Sequence, residues 1–190
     1  MRVLEIIVLP SVRRIRLKVE MPDPGKYLTS HAPHIPKLLF QLIPRLAQHT
    51  CHNSQGLSFR QECRSTEIPH LLEHLIIELQ LQAQQQPSDL LRGETEWNWT
   101  VDPRGHYLVS VDYENELLAV GAIRLAERLL QAVDRRDLTI DMPAEICRLR
   151  TLMHLGQELE GNLSPPVLRL PEPAVRKRAR RVAARVHESV

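Results

Sequence analysis

Residues 14–21 alternate without a break between charged and apolar side chains. The charged positions are Arg14, Arg16, Lys18 and Glu20, and the apolar ones are Ile15, Leu17, Val19 and Met21. A repeat of two is typical of a β-strand that buries one face, because successive side chains of a strand point to opposite faces. Sheets with one face in water are commonly antiparallel. This segment therefore predicts a sheet that is covered on one side only.

Three further segments have strand patterns. Val3–Leu9 is apolar on both faces, as expected for a central strand, and a short turn joins it to the alternating segment. Leu108–Tyr113 alternates again. Its predicted partner is Glu94–Val101, because Asp102-Pro103-Arg104-Gly105 between them has the chemistry of a hairpin turn. The two tryptophans of that partner strand are predicted to share one face.

Three segments have helical patterns. Lys37–His49 places leucines on one side, with Pro44 straining its middle. A second helix is predicted to begin after Ser65-Thr66-Glu67 and to extend to about Gln84, and a third to occupy Glu114–Asp134. The order of these elements predicts an α+β fold, with an antiparallel sheet of about four strands and helices packed on one face.

The chain of 190 residues is long enough for one domain with a substantial core. We expect residues 1–140 to form the α+β domain and residues 141–163 to add a helical extension. Residues 164–190 contain a proline-rich stretch and then a run of arginines. They are predicted to form a linker and a basic C-terminal tail.

The charge and the cysteine content of the chain argue against several classes of protein. A net charge of +2 is too balanced for nucleic-acid binding to be expected. The three cysteines are an odd number without CxxC spacing, which disfavours both a disulfide framework and a cysteine zinc ribbon. The apolar runs fall far short of a membrane span of about 20 residues. Arg2 and Glu5 interrupt the first apolar stretch, so no secretory signal is expected. These features predict a cytoplasmic protein without a membrane partner.

The sequence His70-Leu71-Leu72-Glu73-His74 is an HxxEH motif inside the second predicted helix. His70 and His74 are one turn apart and differ by about 40° around the helix axis, so both imidazoles can reach one metal ion. Glu73 lies close enough to act on a water as general base. This is the reversed form of the zinc-peptidase motif HExxH. The alternative interpretation is a pair of surface histidines hydrogen-bonded to glutamates one turn away.

A catalytic zinc ion needs a third protein ligand, which the motif does not supply. Glu116, near the start of the third predicted helix, is the preferred candidate, with Glu114 and Asp112 as alternatives. Glu78 lies one turn beyond His74 and is predicted to orient the second nitrogen of that histidine. Each of these acidic residues could instead be an ordinary solvated side chain.

The segment from Ile68 to Gln80 is similar to the GHIIEHVALELQ stretch of the N-terminal domain of cyanophycin synthetase. Three other stretches follow in the same order as in that domain. Met1–Ile6 resembles its opening, with residues 12–15 at its SIRR-like element. Residues 92–95 stand at its GRTRET-like turn, and residues 106–113 resemble its YQVVFEY strand. The resemblance covers roughly residues 1–140.

The resemblance implies a domain that binds cyanophycin, a poly-aspartate chain with arginine on each side-chain carboxylate. In some synthetases this domain resembles a zinc hydrolase that cuts the polymer into primers. His70, Glu73 and His74 all match its motif, and Glu116 stands at a matching acidic position. The chain has no GxxxxGK[ST] loop, so we do not expect an ATP-dependent ligase.

Four arginines are candidate substrate-binding residues. Arg14, Arg16 and Arg64 could receive an acidic or carboxylate-bearing substrate. Arg92 belongs to the turn that resembles the GRTRET element. The alternative for the strand arginines is a solvated face.

The leading hypothesis is a zinc-dependent hydrolase of amide or isopeptide bonds in cyanophycin-like or other peptide material. His70 and His74 would bind zinc, either Glu116 or Glu78 would complete the site, and Glu73 would be the catalytic base. The rival hypothesis is a non-catalytic protein that binds cyanophycin or the synthetase and retains a relic site. A third hypothesis is an RNA-associated factor that acts through the basic tail. The sequence leaves the oligomeric state open, a homo-oligomer included.

Overall fold

The computed structural model describes residues 1–51, 56–85 and 91–163. These residues form one four-stranded antiparallel sheet and five α-helices. The strands are β1 (Arg2–Leu9), β2 (Arg14–Glu20), β3 (Gly93–Glu96) and β4 (His106–Asp112). The helices are α1 (His34–Leu42), α2 (Phe59–Glu62), α3 (Ile68–Gln84), α4 (Glu116–Asp134) and α5 (Met142–Leu163). The predicted α+β class, four-stranded sheet and helical cover are confirmed.

Strand β2 lies in the middle of the sheet, whose order is β1-β2-β4-β3. Its apolar residues Ile15, Leu17 and Val19 are all buried under the helices, as the alternation predicts. Leu17 faces Val109 of β4, which is also buried. The helical layer therefore covers one face of the sheet.

Strand β1 is an edge strand rather than the central strand that its apolar character predicts. Among the described residues it pairs only with β2, and its register shifts at a bulge between Val3 and Glu5. Leu4 and Ile7 remain more than two-fifths exposed. The prediction of a central strand was wrong because it assumed that apolar residues on both faces of β1 mean that both faces are buried.

Helix α3 is the most buried element of the domain. Fourteen of its 17 residues are buried, including polar residues of its second and third turns. Pro69 stands in its first turn, where the missing N–H of proline would have no partner within the helix, and Gln85 caps the C-terminal end in the left-handed conformation. One side of α3 packs on β3 and β4, and α4 and α5 pack on other sides. A helix enclosed in this way carries its polar side chains into the interior.

Helix α4 links α3 to the outer helix α5. Asn115 caps α4 by accepting a hydrogen bond from the backbone of Leu118, and it donates to the carbonyl of Met153 in α5. Gly121 lets α5 approach closely, since a Cβ there would lie 2.6 Å from Cδ1 of Leu152. The helical extension predicted after residue 140 is thus a long helix packed on the domain.

Two predicted elements differ from the structure by more than two residues in their bounds. The first helix begins at His34 and ends at Leu42, because Pro44 has no N–H to continue it and starts a 3₁₀ turn instead. Strand β3 ends at Glu96, before both tryptophans. Trp99 leaves the sheet and donates from Nε1 to the carbonyl of His106 at 3.0 Å.

The predicted proline-rich linker and basic tail, residues 164–190, lie outside the described residues. Within the described ranges, no helix combines the length and the apolar character that crossing a membrane requires.

Replacing Gly105 with alanine should destabilise the fold by about 1–3 kcal/mol. Gly105 has a φ of +84°, and a Cβ there would lie 2.5 Å from both the Met21 carbonyl oxygen and the Tyr27 hydroxyl. Urea unfolding of Gly105→Ala measures the loss. Gly161→Ala is the control, because nothing lies within 4 Å of its Cβ position. Equal unfolding free energies for both variants would contradict the prediction.

Candidate metal centre

A cleft of about 830 Å³ opens between the N-terminal half of α3, strand β3 and the segment around residues 49–51. His70, Glu73 and His74 all line it. Glu73 and His74 are only 4% and 5% exposed, and His70 is partly buried. The three motif residues therefore share one partly enclosed space rather than a solvated helix face.

Cys51 joins the two histidines at the floor of this cleft. Its Sγ lies 3.5 Å from Nε2 of His70. The candidate ligand atoms of Cys51, His70 and His74 all lie within 4.8 Å of one another. On its other nitrogen, Nδ1, His70 is hydrogen-bonded to the hydroxyl of Thr66 at 2.7 Å, so Nε2 is directed at the group. One sulfur and two imidazoles thus lie close enough together to bind one metal ion.

His74 is held tightly in a neutral state. Its ring stacks on Phe59 with the centroids 3.7 Å apart. Burial, with smaller contributions from His70 and His49, lowers the pKa of His74 to about 2. Burial also lowers the pKa of His70. Both rings are therefore neutral near pH 7, which is the state that metal binding requires.

Glu73 lies on the β3 side of the cleft. Thr95 donates a hydrogen bond from its hydroxyl to Oε2 of Glu73 at 2.5 Å. Burial raises the pKa of Glu73 from 4.5 to about 7, although the Thr95 bond opposes the shift. Gly93 makes this placement feasible, because a Cβ there would lie 2.5 Å from Cγ of Glu73. A carboxyl that titrates near neutrality is suited to act as a general base.

Glu78 contacts His49 rather than His74. Oε2 of Glu78 lies 2.8 Å from Nε2 of His49, and Nδ1 of His49 lies 3.1 Å from Nδ1 of His74. All three side chains are at least 95% buried. The predicted influence of Glu78 on His74 therefore runs through a third residue that the motif does not contain.

The structure does not bring Glu116 to the histidines. Nε2 of Gln84 donates to Glu114 at 3.3 Å, which places the start of α4 beside the C-terminal end of α3. His70 lies about 21 Å along the helix axis from Gln84. Glu116 is exposed at that far end, and Glu114 belongs to the same end. The residue that the structure does bring to the two histidines is Cys51.

The four candidate arginines divide into two pairs. Arg14 and Arg92 line the cleft, whereas Arg16 and Arg64 are exposed outside its lining. Nε of Arg14 donates to Oδ1 of Asp112 at 2.7 Å, and this bond raises the pKa of the guanidinium. Glutamates 62, 67 and 94 line the cleft as well. The cleft thus carries charges of both signs.

The sequence profile of the family described as cyanophycin synthase-like N-terminal domain matches residues 14–135. The chain belongs to this family. The match spans β2 to the end of α4 and includes the HxxEH segment, Thr95 and Cys51. No curated protein matches the chain.

Reasoning from the motif missed two contributors to the site of this cyanophycin synthase-like domain. His49 is the last residue of the first predicted helix and Cys51 follows it, and no spacing rule connects either of them to His70 on another helix. A local signal was nevertheless present. The run His49-Thr50-Cys51-His52 concentrates metal-ligand residue types in four consecutive positions. Only the tertiary structure shows that His49 and Cys51 meet α3.

Burial of Glu73 in this domain makes its stability depend on pH. The raised pKa means that the folded state binds a proton more tightly than the unfolded state, so stability falls as pH rises from about 4.5 to about 7. Replacement of Glu73 by Gln removes the titrating carboxyl and with it this pH dependence. The unfolding free energy of wild type should therefore decline by about 3 kcal/mol relative to Glu73→Gln over that interval.

Chemical unfolding of the metal-free proteins at several pH values measures this difference. Glu116→Gln, at an exposed position, serves as the control and should follow wild type. A constant difference between wild type and Glu73→Gln across the interval would show that Glu73 titrates normally.

Proposed function

We propose that this domain is a zinc-dependent hydrolase of amide or isopeptide bonds in cyanophycin-like or other peptide material. The observation that carries the proposal is the meeting of Cys51, His70 and His74 beside Glu73 in one cleft. Donor atoms and a base with a pKa near 7 are the two parts that a metal-assisted hydrolase needs.

The donor set fits zinc. Thiolate and imidazole ligands favour zinc over magnesium or calcium, which prefer oxygen. Three protein ligands leave a fourth position open, as in catalytic zinc sites. Cys51 supplies the sulfur, and the neutral rings of His70 and His74 supply two nitrogens. These three ligands therefore favour a catalytic zinc site over a structural zinc site, in which the protein supplies all four ligands.

Zinc bound there would polarise the scissile carbonyl and lower the pKa of the attacking water. Glu73 takes the proton of that water on the carboxylate oxygen that Thr95 does not occupy, and returns it to the leaving amine. Thr95 keeps the carboxylate in place throughout. The buried walls around His74 limit the entry of other water.

Membership of the cyanophycin synthase-like family supports the choice of substrate. Cyanophycin carries both carboxylates and guanidinium groups. The cleft offers Arg14 and Arg92 beside three exposed or partly buried glutamates, so both substrate charges meet opposite partners. We infer further that the synthetase is a partner and that the protein acts in the cytoplasm, whose reducing conditions would preserve the Cys51 thiol.

Purified, untagged protein supplied with zinc should contain about one zinc ion per chain by elemental analysis. The double variant His70→Ala/His74→Ala should lose the metal, and Cys51→Ala should retain much less of it. Cys147→Ala is the matched control, because that cysteine is exposed and lies outside the donor group. A wild-type protein without metal after zinc is supplied would refute the proposal.

Zinc-loaded wild type should release fragments from cyanophycin or cleave an isopeptide-linked peptide, and Glu73→Gln should lower the rate by at least about 100-fold. The variant should still bind zinc, since Glu73 is not in the donor group. The rate should rise with pH as Glu73 loses its proton, with a midpoint below the pKa of about 7 that burial gives this carboxyl in the metal-free domain, because the charge of zinc favours the carboxylate. Glu116→Gln is the control and should keep wild-type turnover.

Other outcomes identify other functions. Unchanged turnover by Glu73→Gln would refute the assigned base. Co-sedimentation with the polymer without hydrolysis, unaffected by chelators, would favour the non-catalytic binding protein. Activity that resists chelators but is lost in Cys51→Ala would indicate thiol chemistry, since Cys51 lies within reach of His70.

A further inference from the structure

A chain of three buried side chains runs through the interior behind the candidate metal centre. Oε2 of Glu78 contacts Nε2 of His49 at 2.8 Å, and Nδ1 of His49 contacts Nδ1 of His74 at 3.1 Å. Both nitrogens of His49 are thus occupied, one by a carboxylate and one by another imidazole. His49 is therefore not available as a ligand.

The order of these contacts determines where the protons lie when each ring carries one. A carboxylate only accepts hydrogen bonds, so Nε2 of His49 must carry the proton that faces Glu78. Nδ1 of His49 is then an acceptor, and Nδ1 of His74 must be the donor between the two rings. This arrangement leaves the lone pair of His74 on Nε2.

We propose that His49 and Glu78 are positioning residues that hold His74 in the Nδ1–H tautomer and so present its Nε2 lone pair to the donor group. The inference rests on the proposed metal site and assigns a role to a residue outside the HxxEH motif. His70 has a simpler counterpart, because the hydroxyl of Thr66 contacts its Nδ1 at 2.7 Å. A partner on the second nitrogen is how proteins orient metal-binding histidines.

The surroundings of Glu78 support this role. Its side chain is fully buried, and an isolated carboxylate there would be strongly unfavourable. Nε2 of Gln82 donates to Oε1 at 2.7 Å, and Nε of Arg45 lies 3.5 Å from the same oxygen. These contacts compensate the buried charge. These two contacts involve Oε1, whereas Oε2 is the oxygen that faces Nε2 of His49.

The tautomer can be measured directly by ¹⁵N NMR of the imidazole nitrogens in metal-free protein with labelled histidine. Wild type should show a protonated Nδ1 and an unprotonated Nε2 at His74. Glu78→Gln, which nearly preserves shape, and His49→Phe should show a mixture of tautomers. An Nε2–H tautomer in wild type would overturn the proposal without the need for any variant.

Zinc affinity provides the second measurement, by competition with a chromogenic chelator. Glu78→Gln and His49→Phe should bind zinc about 10- to 100-fold more weakly than wild type. Gln80→Leu is the matched control, because Gln80 is equally buried on α3 but donates to the carbonyl of Asp112. Unchanged zinc affinity in Glu78→Gln would overturn the proposal, as would an equal loss in Gln80→Leu.

The two measurements separate this inference from the proposed function. A wild-type protein that binds zinc with the expected tautomer but cleaves nothing would sustain the positioning role and refute the hydrolase. Catalysis by a protein whose His74 carries its proton on Nε2 would support the hydrolase and refute the positioning role.

Discussion

Enclosure of α3 is the constraint on which the rest of the structure depends. The helix packs on the sheet and on two other helices, yet it carries ionisable residues at positions 73, 74 and 78 into the interior. Ionisable groups in such surroundings need partners or a change of protonation state. Glu73 has the Thr95 hydroxyl and a raised pKa, His74 is neutral, and Glu78 has His49, Gln82 and Arg45 around it. The properties of the cleft that matter for metal binding and proton transfer follow from these partners and protonation states.

Elements with a strong local pattern could be predicted from the sequence. The alternation of β2 and the start signal of α3 both reflect contacts that each residue makes with its own neighbours in the chain, and these predictions are confirmed. The edge position of β1 could not be predicted, because an apolar edge strand and a central strand have the same composition. Strand β1 lies at the edge because β4 pairs with the free side of β2 and not with β1.

In the candidate site, too, local spacing predicted some residues correctly, whereas others depend on the tertiary structure. The spacing of His70, Glu73 and His74 was sufficient to place them together, since one helix carries all three. Cys51 could not be found by spacing, because its approach to His70 depends on where residues 49–51 lie against α3. Glu116 was a reasonable choice only if α3 and α4 began at the same end. They do not, and Gln84 meets Glu114 at the opposite end of α3.

Gly93 has a consequence for how this domain can vary. The backbone of β3 touches the side chain of Glu73 so closely that a methyl group would occupy the same space. An alanine at 93 is therefore compatible with the fold only if the carboxylate moves away from Thr95 or position 73 takes a shorter residue. A substitution at position 93 therefore has to be matched by a change at position 73, so the two residues can vary only together.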